Sequence, residues 1–356
     1  MIRYSKQIIL SDIGITGQNK LKNSKVLCVG IGGLGSSVLM YLSSMGIGTI
    51  GIVDMDNIEL SNLHRQVIYN TTDLGKNKVK IAKKYVEKLN PSVVINTYNL
   101  KLIENNIINI IRKYNIVIDC TDNLETKYLI NKYAMKFNIP MVYGALFGFE
   151  GYVSVFIREK SCYFCLYKNI PSLYVPTCSE SGVLGVVAGI IGNIQALETV
   201  KLILNDYNSY DNEKFSNLIS KLLIFDSKFL SFKILNFSKN DNCPICNISL
   251  LSNKKKNIYI KENNDFFINH SNLKNNIDIK IIDIRKNNIF YAKYIKHIDK
   301  KNVIKISLND LMDLNNISNI IIKSNKYAIL CDYSLRSKFI CNFLRSNGYN
   351  NIFYLK

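Results

Sequence analysis

The stretch Val26-Leu27-Cys28-Val29-Gly30-Ile31-Gly32-Gly33-Leu34-Gly35 decides the fold. An apolar run of strand length enters a cluster of four glycines, and a helical pattern follows to about Met45. Glycines at such a joint let the backbone approach a phosphate, whose charge is met by the amide groups that open the helix. A second β-like run, Thr49 to Val53, ends on Asp54, where an acid reaches ribose hydroxyls. Taken alone, this spacing suits a nicotinamide-dependent oxidoreductase as well as other nucleotide-binding proteins, and a glycine cluster also serves as a plain turn.

Outward from that core, a charged helical pattern runs from Lys76 to Leu89 and stops before Pro91. Val93 to Thr97 and Ile116 to Cys120 read as further strands with a helical segment between them. Strands alternating with helices give a parallel, doubly wound α/β sheet of Rossmann-like type. Beyond Gly151, Tyr152-Val153-Ser154-Val155-Phe156-Ile157 alternates and predicts an antiparallel extension. Residues 251–257 are polar, basic and unperiodic, and read as a linker. They divide a domain over 1–250 from a second, smaller α/β domain over 258–356, which opens on the apolar run Ile277 to Ile284.

A length of 356 residues favours two domains, and 47% hydrophobic content is ample for packed cores. The apolar run Gly182 to Leu204 is broken by Asn193, Gln195, Glu198 and Lys201, so it reads as a buried helix with no membrane partner. No signal or transit peptide is visible at Met1-Ile2-Arg3-Tyr4, which predicts a cytoplasmic protein, or one of the plastid stroma if the gene is organellar. The net charge of +19 accompanies a chain crowded with Lys, Asn, Ile and Tyr and lacking Trp, as an A+T-rich genome produces. No direct nucleic-acid partner is expected on that ground, whereas an acidic protein partner suits a basic surface. Nine cysteines argue for metal binding and thiol chemistry over a disulfide framework.

The segment after Asp54 separates the nucleotide chemistries. Asp54-Met55-Asp56-Asn57-Ile58-Glu59-Leu60-Ser61-Asn62-Leu63-His64-Arg65-Gln66 is dense in polar groups. Lys76 and Lys78 follow, and Cys120-Thr121-Asp122-Asn123 closes a later strand. A nicotinamide needs a neutral pocket, whereas Arg65 and Lys78 suit a triphosphate and Asp122 suits its Mg²⁺. Opening a nucleotide at its α-phosphate needs that concentration of positive charge on the departing pyrophosphate.

At these residues the chain resembles the ThiF/MoeB family (MoeB/MoeZ type), relatives of ubiquitin-activating enzymes. The resemblance spans roughly residues 1–248 and rests on several motifs in family order. They are Arg3-Tyr4-Ser5-Lys6-Gln7, the loop glycines Gly30, Gly32, Gly33 and Gly35, Ser61 to Gln66, Gly75 to Val79, and Cys120 to Asn123. The resemblance implies an adenylyltransferase that binds ATP with Mg²⁺. In it Asp54 holds the ribose, Asn62, Arg65 and Lys78 contact the phosphates, and Asp122 helps to bind the metal. It also implies a homodimer in which Lys6 reaches the partner subunit's nucleotide. The family usually has Arg there; Lys keeps the charge but loses the planar, two-pronged donor.

Cys162-Tyr163-Phe164-Cys165 and Cys243-Pro244-Ile245-Cys246 supply four thiolates, enough to close a tetrahedral structural Zn²⁺ site. Spacing alone leaves redox-active or unliganded pairs open, and the family resemblance implies zinc. Cys178, in Pro176-Thr177-Cys178-Ser179-Glu180, corresponds to a loop cysteine that in the family passes near the adenylate and forms a thioester or acyl disulfide in some members. A plain loop cysteine is the alternative.

The second domain resembles a rhodanese in Ile281 to Arg285, Tyr291 to Ile298 and Ala328 to Ser337. That resemblance implies that Cys331 carries a persulfide, held as a thiolate by backbone amides and a helix dipole. Cys341 reads as core. Two departures stand beside Cys331: Ser334 replaces a loop glycine, and Asp332 replaces a basic residue, which should raise the thiol pKa and slow sulfur loading. Together the resemblances imply adenylylation of the C-terminal glycine of a ubiquitin-like sulfur-carrier protein. Sulfur from a donor protein or thiosulfate would then pass to a thiocarboxylate, in molybdopterin biosynthesis. The same chemistry serves tRNA thiolation or thiazole synthesis. An NAD-dependent oxidoreductase and an inactive docking scaffold are the rivals.

Overall fold

Four consecutive buried residues, Val26 to Val29, put strand β1 (Lys25–Val29) at the centre of a sheet. Their side chains alternate: Val26 and Cys28 enter one hydrophobic core, Leu27 and Val29 the other. A strand buried on both faces reads as a continuous apolar run and needs helices above and below it. The computed structural model describes residues 2–167, 182–205 and 215–247 in the first of two compact units. In the second it describes residues 267–268, 279–284, 302–306, 311, 317, 320–322, 324–330, 337, 340–341, 344–345 and 348–355.

The first unit contains an eight-stranded sheet in the order β3-β2-β1-β4-β5-β6-β7-β8. Strands β2 (Thr49–Val53), β3 (Val94–Tyr98), β4 (Ile116–Asp119) and β5 (Met141–Phe147) join β1 in parallel. Strands β6 (Glu150–Phe156), β7 (Lys221–Asp226) and β8 (Ser231–Asn236) extend it antiparallel, as the alternation beyond Gly151 predicts. The helices are α1 (Ser5–Ile8), α2 (Gly14–Asn23), α3 (Gly33–Met45), α4 (Lys78–Leu89), α5 (Glu104–Ile111), α6 (Leu124–Lys136), α7 (Tyr163–Leu166) and α8 (Gly185–Asn205). α3, α4 and α8 cover one face, α5 and α6 the other.

Helix α8 is long and apolar enough to cross a membrane, yet most of it is buried within this unit. Two of the polar residues that break its sequence, Gln195 and Glu198, are buried and paired, while Lys201 is half-buried and Asn193 is exposed. Glu198 accepts from the amide of Leu218 at 2.8 Å and from Lys201 at 2.7 Å, and Gln195 donates to the carbonyl of Asp119 at 2.9 Å. The charged pattern starting at Lys76 becomes a helix only at Lys78, because the Asn77 side chain accepts from the Lys80 amide and caps it there.

The second unit is a wholly parallel sheet, order β11-β10-β12-β13-β9, from β9 (Phe267–Ile268), β10 (Ile279–Asp283), β11 (Val303–Lys305), β12 (Lys326–Leu330) and β13 (Ile352–Leu355). Its core joins Ile282, Tyr327 and Ile329 to Ile340, Cys341 and Leu344. Cys341 is core, as the sequence predicts: it donates to the carbonyl of Ile352 at 3.1 Å, and burial pushes its thiol up to about 12. The expected linker 251–257, Cys178 and Cys331 with its neighbours Asp332 and Ser334 lie outside the described residues.

Candidate active site and metal centre

Strand order reverses across β1, with β2 on one side and β4 on the other, so a crevice opens at the C-terminal ends of β1 and β4. Gly30 stands in it with φ +89°, and a methyl group there would sit 2.8 Å from the carbonyl of Cys120. A methyl on Gly35, in the first turn of α3, would sit 2.1 Å from the carbonyl of Gly30. Loop, helix and the β4 terminus therefore meet backbone to backbone, which no side chain would permit. The first turn of the thirteen-residue α3 carries no acid, so its positive end stays open to an anion.

Asp54 faces this cradle. Its two carboxylate oxygens accept from the amides of Ile31 at 2.8 Å and Asp56 at 2.9 Å, which fixes its orientation and leaves a lone pair on each oxygen for a ribose. Burial pushes the Asp54 carboxyl up, and the charge of Lys78 opposes the shift. Lys78 is itself buried, with Nζ 2.9 Å from Asp56 Oδ2. The Tyr69 hydroxyl donates to the carbonyl of Ile31 at 3.0 Å and so ties this segment to the glycine loop.

A short 3₁₀ turn, Leu60–Asn62, presents the phosphate candidates. Asn62 is buried; its Oδ1 accepts from the Glu59 amide at 3.3 Å, and its carbonyl accepts from the amides of Arg65 and Gln66. The Arg65 stem crosses the loop, its Cγ 3.4 Å from the place of a methyl on Gly33, while Nη1 donates to the carbonyl of Ser61 at 2.9 Å. Asp122 is exposed, two residues beyond the Cys120 carbonyl that touches Gly30, and Asn123 caps α6 through the Thr126 amide at 2.9 Å. The expected residues Gly30, Gly32, Gly33, Gly35, Asp54, Asn62, Arg65, Lys78 and Asp122 thus lie on segments that converge on one cradle.

Lys6 does not join them within one chain. It is exposed on α1, and the neighbouring Gln7 donates to the carbonyl of Met45, at the far end of α3. The glycine cradle lies at the other end of that helix, roughly 18 Å away at 1.5 Å per residue. Three buried residues next to the cradle are absent from the sequence expectations as site residues: Asp119, Lys127 and Gln195. An acid closing the apolar strand Ile116-Val117-Ile118-Asp119, with a lysine eight residues on, is the signal that marks two of them.

The two CxxC pairs meet. Sγ separations are 3.8 Å for Cys162–Cys165, 3.6 Å for Cys162–Cys243 and 3.5 Å for Cys165–Cys246, and all four atoms lie within 4.8 Å of one another. A tetrahedron with metal–sulfur bonds of about 2.3 Å has edges of about 3.8 Å, so the donor set fits zinc in size and chemistry. Hydrogen bonding with Cys162 holds the Cys165 thiol well below its ordinary range and Cys243 at about 7, while Cys162 and Cys246 are raised. Four adjacent thiols cannot all ionise without a cation. The Asn240 amide donates to Cys165 Sγ at 3.4 Å, and Asn131 Oδ1 accepts from the Tyr163 amide at 3.0 Å, anchoring α7 to α6.

Purified protein is expected to carry about one zinc per chain. Cys243→Ser should lower unfolding stability by about 4 kcal/mol, in the range of a lost structural metal. Metal analysis by mass spectrometry beside thermal unfolding checks both, and metal-free protein with wild-type stability would dismiss the site.

The sequence model of the ThiF family matches residues 4–245. The probable molybdopterin-synthase adenylyltransferase of Porphyra purpurea is 37% identical over 353 residues, covering 98% of this chain and 90% of that protein. The adenylyltransferase and sulfurtransferase MOCS3 of Aedes aegypti is 42% identical over 248 residues, 68% of this chain and 55% of that protein, so the chain spans about half of that relative. Among solved structures, Escherichia coli MccB with AMPCPP and MccA superposes with a TM-score of 0.58 at 25% identity, over 68% of this chain and 74% of MccB. Family sequence, whole-chain relative and fold agree, and the chain belongs to the ThiF family.

Proposed function

We propose that the chain is an ATP-dependent adenylyltransferase that activates the C-terminal glycine of a ubiquitin-like sulfur-carrier protein and then transfers sulfur to it, in molybdopterin biosynthesis. The observation that carries the proposal is the convergence of Arg65, Lys78 and the Asp122 loop on a glycine cradle that admits a phosphate. The names of the Porphyra and Aedes relatives, and the AMPCPP in the MccB crystals, support the same chemistry.

The carrier's terminal carboxylate attacks the α-phosphorus of ATP, and pyrophosphate leaves, giving an acyl-adenylate. Arg65 and Lys78 neutralise charge on the departing pyrophosphate, and Asp54 orients the ribose. Mg²⁺, when bound at Asp122, adds positive charge at the same phosphates. The terminal sulfur of a persulfide on Cys331 attacks the acyl carbon, and AMP leaves. Thiolysis or reduction of the resulting acyl disulfide, with Cys178 as one candidate thiol, releases the thiocarboxylate. Zinc on the four cysteines serves structure, since its coordination is closed. Lys6 serves a neighbouring subunit's nucleotide in a homodimer, consistent with its distance from its own cradle. The rhodanese-like reading of the second unit is supported by the end of β12 at Leu330, immediately before Cys331.

Carrier-dependent exchange of labelled pyrophosphate into ATP tests the proposal, with candidate carriers drawn from the same genome. Exchange with one of them is the expected result. No exchange with any carrier, together with reduction of NAD by a small substrate, would replace the proposal with the oxidoreductase.

A further inference from the structure

Asp119 and Lys127 form an ion pair shut away from solvent, with side-chain exposures of 0% and 5%. Lys127 Nζ donates to Asp119 Oδ2 at 2.9 Å and to the carbonyl of Gly144 in β5 at 2.9 Å. The other carboxylate oxygen accepts from the Thr121 amide at 3.0 Å and from the Thr121 hydroxyl at 2.6 Å. Gln195, from α8, fixes the same residue from behind by donating to its carbonyl at 2.9 Å.

Burying two charges is expensive, and replacing such a pair by neutral groups of similar volume is often neutral or stabilising. Stability therefore gives a poor reason for this pair, and geometry gives a better one. The pair closes a ring: from Asp119 at the end of β4, through Cys120-Thr121-Asp122-Asn123, into the first turns of α6, and back through Lys127. Thr121 braces the ring near its start, and Asn123, the cap of α6, braces it near its end. Asp122 lies between these braces and is exposed toward solvent. The bond to Gly144 ties the ring to the next strand, so the loop keeps its place relative to the cradle beside Gly30.

We infer that Lys127, through Asp119, is a positioning residue that sets the Asp122 carboxylate for the metal–triphosphate. This rests on the proposed adenylyltransferase function and names the residue pair that holds its metal-binding loop in place. Lost positioning partners of a metal ligand typically weaken metal affinity or activity ten- to a hundredfold.

Lys127→Met alone strands a buried carboxylate and can fail to fold, so the test uses Asp119→Asn with Lys127→Met. The side-chain amide introduced by Asp119→Asn keeps an oxygen that accepts from Thr121, and no charge is left unpaired. Mn²⁺ replaces Mg²⁺, and its affinity is measured by electron paramagnetic resonance on the full chain with a non-hydrolysable ATP analogue. The expected result is Mn²⁺ affinity weakened about tenfold, with unfolding temperature at or above wild type and metal-free nucleotide affinity unchanged. Unaltered Mn²⁺ affinity in the double variant overturns the inference, whether or not stability falls, and leaves the adenylyltransferase reading standing. Wild-type protein that binds no Mn²⁺ with the nucleotide overturns both.

Discussion

Arg65→Ala and Asp122→Ala are each expected to lower carrier-dependent pyrophosphate exchange by at least about a hundredfold, the scale of losing one positioned charge from a reacting phosphate site. Neither residue holds the fold together. Arg65 is half-buried, but its guanidinium bonds, to the Ser61 carbonyl and the His64 ring, stay within its own turn, and Asp122 is exposed. Stability should therefore change by no more than about 0.5 kcal/mol, as at other surface sites. The two losses should differ in kind. On the proposed mechanism Arg65 meets charge that grows on the leaving pyrophosphate, so kcat should fall more than ATP affinity. On the same mechanism Asp122 acts through the metal, so excess Mg²⁺ should restore part of its loss and none of the loss at Arg65. Exchange assays over a range of ATP and Mg²⁺ separate the two, and near-wild-type exchange in both variants would remove the clamp chemistry.

Much of this site is written in local sequence. Thr49 to Val53 is a strand to the residue, because a β-branched run enters a polar segment at Asp54. Gly30 and Gly35 mark the cradle because backbone atoms at 2.8 Å and 2.1 Å leave room for no other residue. What is illegible depends on contacts between distant elements. Lys78 is legible as a phosphate contact, but its burial against Asp56, on the loop that follows β2, is not. The ion pair of Asp119 and Lys127 joins a strand end to a helix face, and no periodicity announces such a partner. Gln195 and Glu198 read only as interruptions of an apolar run, whereas folding turns each into a buried hydrogen-bonding group. The cysteine quartet lies between these cases: each CxxC is local and plain, but pairing Cys162 with Cys243 requires the sheet extension between them.

Cys331→Ala should leave pyrophosphate exchange at the wild-type rate while abolishing thiocarboxylate formation from thiosulfate or a persulfide donor. The separation follows from where the chemistry falls. Every nucleotide contact proposed above comes from residues before 130, in the first compact unit, and Cys331 follows β12 of the second. The cysteine of that unit among the described residues, Cys341, is no substitute: it is fully buried in the core, with its thiol raised to about 12. A nucleophilic sulfur needs thiolate character and access, and Cys341 has neither. Asp332 supplies a second arm. A carboxylate beside a thiol disfavours the thiolate, so Asp332→Arg should lower the Cys331 pKa and speed sulfur loading. Mass spectrometry of the carrier, incubated with ATP, a sulfur donor and each variant, reads the thiocarboxylate directly. Wild-type yield from Cys331→Ala would move the sulfur source out of the second unit, leaving a persulfide on Cys178 or an external persulfide to attack the adenylate. A Cys331→Ala variant that also loses exchange would mean that the second unit supports adenylation itself, and the division of labour between the two units would fall.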